Sequence, residues 1–355
     1  MSGSRSGHYK GHSESSGSVG EFDPGRLVRD YGDVEGEVAA CRRAAALFDF
    51  SFMTAARVSG RDAFKALAHL TDRRFDDLPP GKIRYALCRR PDGWLRSDLT
   101  VWNEGGGDYL VMSGLRRDIV DIAAFAESAG INAPLETLAD TMAVYSVQGP
   151  DSLRVLNGLL DTKRLASLPY FGCAKFGVAG VPCLVGRLGY TGERGFEILL
   201  PADQGNRLWH ELAARARPSG FAAADCLRIE AGFVLFANEF RLRVTAAEAG
   251  LEAFGESDPV SPRYRLVCFR AASNSPPVLW RPPQTLSAPE PGTITVTSAC
   301  HSAIAGGVLG LGYVSSGEAG LDRAFVDPTA GFRDVRTVPR PFYDPGKRRP
   351  RGTWC

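Results

Sequence analysis

Glu197 stands in the run Leu188-Gly-Tyr-Thr-Gly-Glu-Arg-Gly-Phe-Glu-Ile-Leu-Leu200, where a glycine-rich, hairpin-like stretch passes into a short apolar strand. A carboxylate among apolar strand residues carries a high desolvation cost unless something binds it. A second carboxylate, Asp98, lies in Leu95-Arg-Ser-Asp-Leu-Thr-Val-Trp102. Strand alternation puts Leu99 and Val101 on one face and Asp98, Thr100 and Trp102 on the other. Taken alone, such an aspartate is usually a solvated strand residue. Arg228 sits in Asp225-Cys-Leu-Arg-Ile-Glu-Ala-Gly232, which has the form of a helix closed by glycine. It either reaches an anionic group or pairs with Glu230 or Asp225 and ties the helix down.

Other chemistry is disfavoured by spacing. The eight cysteines form no Cys-x-x-Cys pair, and most lie in apolar runs. Free buried thiols in a reducing compartment fit that usage better than disulfides or zinc, and no metal site is expected. Cys300-His301 is the one Cys/His neighbour pair, and it reads as structural, because thiol–imidazole pairs meet through the fold rather than along the chain. His8 and His12 belong to a Ser/Gly/His-rich opening, Met1 to Gly20, read as a solvated, disordered tail without the apolar core of a secretory signal. The 355 residues carry a net charge of +2, and no apolar run approaches the ~18 residues that span a bilayer. A cytoplasmic protein is expected, with neither nucleic acid nor membrane as partner.

The elements that must position these groups follow from periodicity and turn chemistry. Helices are expected over Tyr31–Phe48, Ala63–Leu70 with Asp62 as cap, Arg116–Ser128 and Gln204–Arg217. Ile83–Arg89 and Trp94–Trp102 read as strands joined by the turn Pro91-Asp-Gly93, with Tyr109–Ser113 as a third. Val147-Gln-Gly-Pro-Asp-Ser-Leu-Arg-Val-Leu156 repeats the spacing of Val58-Ser-Gly-Arg-Asp-Ala-Phe-Lys-Ala-Leu67 at an offset of 89 residues. Two copies of a strand–helix–strand unit imply a duplicated α+β fold with antiparallel strands. Short strands at Arg265–Phe269, Thr293–Thr297 and Val308–Val314 imply a small all-β end. The basic run Lys347-Arg-Arg-Pro-Arg351 reads as solvated.

Gly189-Tyr-Thr-Gly-Glu-Arg-Gly-Phe-Glu197 and Asp225-Cys-Leu-Arg-Ile-Glu-Ala-Gly232 resemble two signatures of the glycine cleavage T-protein (aminomethyltransferase) family. Leu47-Phe-Asp-Phe-Ser-Phe-Met53, Ala246-Ala-Glu-Ala-Gly-Leu251 and Thr297-Ser298 resemble three more, in register from about Tyr31 to Val314. The resemblance implies a three-domain cloverleaf around a central tetrahydrofolate channel. Two ferredoxin-like α+β domains would be 23–54 with 145–256, and 55–144. A C-terminal β-barrel would be 257–345, between a tail at 1–22 and a basic tail at 346–355. It places Asp98 beside the reacting nitrogens of the folate, where a carboxylate stabilises developing positive charge or moves a proton. It assigns Glu197 to the adjacent N–H donors of the pterin edge, Tyr190 and Tyr85 to aromatic walls, and Ser113 and Arg228 to the folate site.

The chain departs from the family pattern in several places. Ser97 replaces the first of two aspartates, Phe52 a histidine and Ser113 an asparagine, and the stretch after Leu251 is shortened. The Ser-Asp-Leu-Thr-Val wording is closer to folate domains fused to dimethylglycine- and sarcosine-oxidising enzymes. The expected activity is therefore a tetrahydrofolate-dependent one-carbon transfer, of the aminomethyltransferase or demethylase type. Its donor would be a small molecule or a carrier-bound group. Two alternatives are a folate-domain partner of an amine-oxidising flavoprotein and a non-catalytic folate-binding assembly protein.

Overall fold

The computed structural model describes residues 28–71, 73–139, 141–255, 261–272 and 280–354. His8, His12, Cys355 and part of the link after Leu251 lie outside them. The helix expected over Tyr31–Phe48 is shorter, Val34–Arg43. The Asp33 side chain caps it through the Gly36 amide, 3.0 Å away. Beyond Ala44 the chain turns into the strand Ala46–Asp49, because Leu47 and Phe48 are buried by pairing with Met142–Gln148. Asp62 does not cap Ala63–Leu70; its carboxylate meets Lys65 instead, at 2.8 Å.

The duplication is written in the strand order. One sheet of five strands runs Ile83–Arg89, Leu95–Gly105, Asp108–Ser113, Thr54–Val58, Leu135–Thr137. A sheet of six runs Cys173–Val178, Val181–Gly186, Gly195–Pro201, Met142–Gln148, Ala46–Asp49, Arg217–Pro218. Removing Ala46–Asp49 leaves the same order in both. That strand enters from the chain's start and separates the last two positions of the second copy.

Each sheet has two faces with different duties. In the first, Leu99, Val101, Tyr109 and Val111 form a core with Ala63–Leu70 and Arg116–Ser128. In the second, Phe196, Ile198 and Leu200 pack with Leu208, Trp209 and Leu212. The opposite faces share one central core: Ile83, Leu87, Trp102 and Met112 from one sheet, Val144 and Leu199 from the other. Trp102 makes the closest approach; a Cβ at Gly186 would lie 2.3 Å from its ring. The helix Phe221–Glu230, buried along its whole length, completes this core.

The C-terminal sheet runs Thr295–Ser302, Gly307–Ser315, Tyr264–Ala272, Arg333–Val338, Ala324–Phe325. The expected closed barrel is not formed by these ladders. Among the described residues the outer strands are joined only by the single bridge Thr293–Val326, so no continuous closure is shown. In the basic run Arg348, Arg349 and Arg351 are exposed as expected, but the chain just beyond it is docked: the Trp354 ring stacks on Phe196 at 5.1 Å, and Arg194 donates to the Thr353 carbonyl at 2.9 Å. Among the described residues no helix is long and apolar enough to cross a membrane.

Candidate functional site

The glycines of the opening motif are required by close packing. A Cβ at Gly189 or Gly195 would meet the Gln148 side chain at 2.1 or 2.5 Å, and Gly192 has φ +77°. The turn they form delivers the strand Gly195–Pro201 with Glu197 and Leu199 toward the central core and Phe196 and Ile198 away from it. Glu197 is 7% exposed. Its carboxylate makes no hydrogen bond or ion pair among the described residues, and burial alone pushes its pKa up to about 7. It is therefore a largely buried acceptor without a protein donor, on the face of its sheet that meets the central core.

Asp98 lies on the other sheet, on the face that meets the central core. Strand alternation holds as read: Leu99 and Val101 face the outer core, whereas Trp102 faces the central one. The Tyr85 hydroxyl donates to Asp98 Oδ2 at 2.7 Å. Burial raises the Asp98 pKa to about 6; the Tyr85 donation opposes this, and the charges of Asp118 and Glu239 add to it. The Tyr85 hydroxyl is itself held well above its usual range by burial and by Asp98. Tyr190 lies within electrostatic reach of Asp98 and donates to the Val234 carbonyl.

Two walls were missed by sequence reasoning. Phe254, in the shortened stretch after Leu251, meets Tyr85 edge-on at 5.0 Å. Phe233 lies parallel to Tyr190 at 5.9 Å and carries Lys347 on its face at 5.7 Å. Neither lies in a run with helical or strand periodicity, so only the tertiary contact reveals them.

Ser113 and Arg228 are placed elsewhere. Ser113 shares its sheet face with Tyr109 and Val111, and its hydroxyl donates to Asp118 Oδ2 at 2.6 Å. Ser97 joins it there, 2.8 Å from Asp118, so this departure from the family pattern is on the face opposite Asp98. Arg228 is fully buried, and each of its three guanidinium nitrogens donates to a protein acceptor. Nε and Nη2 meet Asp225 Oδ1 at 3.0 and 2.9 Å, and Nη2 meets Ser298 Oγ at 2.6 Å. Nη1 donates to Glu239 Oε2 at 2.9 Å and to the Phe233 carbonyl at 3.1 Å. Of the two readings open from the sequence, the tie prevails, with Glu239 joining Asp225 in place of Glu230. Glu230 is instead held by Arg42 at 2.7 Å.

The seven described cysteines are free and buried. Burial pushes the thiols of Cys41, Cys173, Cys183 and Cys268 up to about 12, which suppresses nucleophilicity. His301 Nδ1 meets Glu35 at 3.1 Å. A cavity of about 490 Å³ lies between the sheets near Arg57, Glu104 and Pro201, and none of the residues singled out from the sequence lines it.

A duplicated α+β pair of sheets, a curled β end and a buried carboxylate on the core-facing side of each duplicated sheet define a protein class. The match to known proteins is of the same kind. The family model described as the GCVT N-terminal domain matches residues 9–258. A probable aminomethyltransferase of Halobacterium salinarum is 31% identical over 335 residues, covering 87% of this chain and 90% of its own. An aminomethyltransferase of Streptomyces coelicolor is 36% identical over 227 residues, covering 62% of this chain and 61% of its own. The solved structure of glycine cleavage system aminomethyltransferase T from Bartonella henselae superposes with a TM-score of 0.74. It covers 89% of this chain and 91% of that one at 22% identity, a likeness of fold. The chain belongs to the glycine cleavage T-protein (aminomethyltransferase) family, as a divergent member.

Proposed function

We propose that the chain transfers a one-carbon unit to or from tetrahydrofolate, with Glu197 and Tyr190 holding the folate and Asp98 managing charge at the reaction centre. Family membership makes the chain a transferase of one-carbon groups. The single observation that carries the folate reading is the orphaned Glu197 carboxylate. A buried acceptor without a protein donor fits a ligand that presents adjacent N–H groups on a planar edge. Tyr85 and Tyr190, backed by Phe254 and Phe233, supply flat apolar walls on the Asp98 side.

When bound, tetrahydrofolate supplies the nitrogens that exchange the one-carbon unit. Asp98 supplies a carboxylate that ionises near pH 6 and is oriented by Tyr85. Such a group takes a proton from a neighbouring nitrogen or faces the positive charge that develops there. Arg228 holds no ligand in this scheme, because all three of its nitrogens are engaged by Asp225, Glu239, Ser298 and the Phe233 carbonyl. The three-domain cloverleaf with a central channel, divided as the sequence reading divides it, is part of this proposal. No observation in the fold favours the flavoprotein-partner or assembly-protein alternatives.

The test is calorimetric titration of tetrahydrofolate into wild type and Glu197→Ala. Affinity is expected to fall at least about tenfold, as for loss of a charge-assisted pair of hydrogen bonds. Equal, tight binding by both proteins would remove the pterin role.

A further inference from the structure

Next to Tyr190 lies a second set of groups without partners, and these are cationic. Arg241 donates from Nε to the Ala237 carbonyl at 2.6 Å and from Nη1 to the Pro283 carbonyl at 2.9 Å. Those bonds anchor the segment that carries Arg281 against the helix Phe236–Glu239. Arg241 Nη2 and both Nη atoms of Arg281 are sealed from water, yet none has a hydrogen-bond partner among the described residues. The Arg281 guanidinium lies 5.5 Å from the centre of the Phe221 ring. Asp225 lies one helical turn beyond Phe221, and its Oδ2 is likewise sealed and unpartnered. Arg281 is within electrostatic reach of Asp225, Arg228, Arg241 and Tyr190, and burial lowers its pKa.

Guanidinium N–H groups removed from water without acceptors are costly, so this arrangement is completed by an anion. Arg281 presents the two terminal nitrogens of its fork, the arrangement that matches a carboxylate in a planar, bidentate way. Asp225, with a free oxygen alongside, disfavours a doubly charged phosphate. Arg241 and Arg281 lie outside the motifs that carry the family resemblance.

We propose that Arg281 and Arg241 form a carboxylate-binding subsite beside Tyr190, so that a ligand of the folate channel bears a carboxylate at that end. The inference rests on the folate reading for the channel's occupant. The carboxylate comes either from the glutamate part of the folate or from the one-carbon donor, which is then an N-methylated amino acid rather than a simple amine.

The experiment titrates full-length wild type, Arg281→Met, Arg241→Met and Arg281→Lys with four probes. These are tetrahydrofolate, 6-methyltetrahydropterin without its carboxylates, N,N-dimethylglycine, and trimethylamine without a carboxylate. Both Met variants are expected to lose at least tenfold affinity for a carboxylate-bearing probe while binding its carboxylate-free counterpart as wild type does. Arg281→Lys, which keeps charge without the fork, should recover only part of that loss. A loss confined to tetrahydrofolate assigns the subsite to the folate; one confined to dimethylglycine assigns it to the donor. Unchanged binding of both carboxylate probes overturns the subsite. So does equal weakening of all probes, or a fall in melting temperature alone, which would make Arg281 an internal partner of Asp225. Wild type that binds the pterin with no dependence on either arginine overturns the subsite and leaves the folate reading standing. Arginine-dependent binding of dimethylglycine without any pterin binding overturns the folate reading instead. Wild type that binds none of the four overturns both.

Discussion

Asp98 and Glu197 are both buried carboxylates, but only Asp98 has a protein donor, and that difference separates their tasks. Glu197 has a folded pKa of about 7 against an ordinary value of 4.5. A raised carboxylate contributes fully below its unfolded pKa and loses that contribution as pH rises through about 7. Glu197→Gln should therefore match wild type near pH 4.5 and exceed it above pH 7 by about 3 kcal/mol, read by urea unfolding across pH. The same variant should bind tetrahydrofolate worse, the opposed signs expected of a group kept for binding rather than stability. Asp98→Asn should lower turnover roughly 10²–10⁴-fold and change tetrahydrofolate affinity little. In wild type the acid limb of turnover should fall near pH 6, where Asp98 ionises. Tyr85→Phe removes the donation that opposes burial, so that limb should move to higher pH. A limb that stays in place would free Asp98 from the rate.

Among the elements, the helix Phe221–Glu230 does the most positioning. Its Arg228 joins Asp225, Glu239 on the next helix and Ser298 on the C-terminal sheet. Arg228→Met leaves two buried carboxylates facing each other without a cation. Such a loss typically costs about 3–5 kcal/mol, measurable by urea unfolding. Affinity for tetrahydrofolate should follow the folded fraction rather than change on its own. The strand Leu95–Gly105 divides its labour by alternation: Ser97 binds Asp118 beneath the sheet, and Asp98 lies on the face toward the central core. A change between serine and aspartate at position 97 is thus a matter of the helix Arg116–Ser128, to which Asp118 belongs, rather than of the site.

At the scale of the molecule, the chain's end closes over its own second sheet. Trp354 covers Phe196, Arg187 donates to the Pro350 and Gly352 carbonyls, and Lys347 rests on Phe233 behind Tyr190. Removing residues 345–355 should lower the melting temperature by roughly 5 °C and weaken tetrahydrofolate binding, because Tyr190 loses its backing. A truncated chain that melts and binds as wild type would make the tail dispensable. Much of this fold was legible in the sequence. Ala63–Leu70, Ile83–Arg89 and Arg116–Ser128 have the bounds that periodicity gives, and the offset of 89 residues emerges as two sheets of one order. Those features are local, since spacing of apolar residues and turn chemistry act within a few positions. The strand Ala46–Asp49 was hidden because its partner lies about a hundred residues away and its apolar residues also fit a helix. The docking of the chain beyond the exposed basic run was hidden, because charge is visible in a sequence and a stacked Trp354 is not. By itself, the sequence determined the family, the duplicated α+β plan and the choice of Asp98 and Glu197 as the notable carboxylates. Only the tertiary structure decided that Glu197 lacks a protein partner, that every nitrogen of Arg228 is engaged, and that Arg241 Nη2 and the terminal nitrogens of Arg281 are not. The physical reason is that residue type fixes what a group can donate or accept, whereas whether that capacity is already spent depends on neighbours the fold brings from elsewhere in the chain.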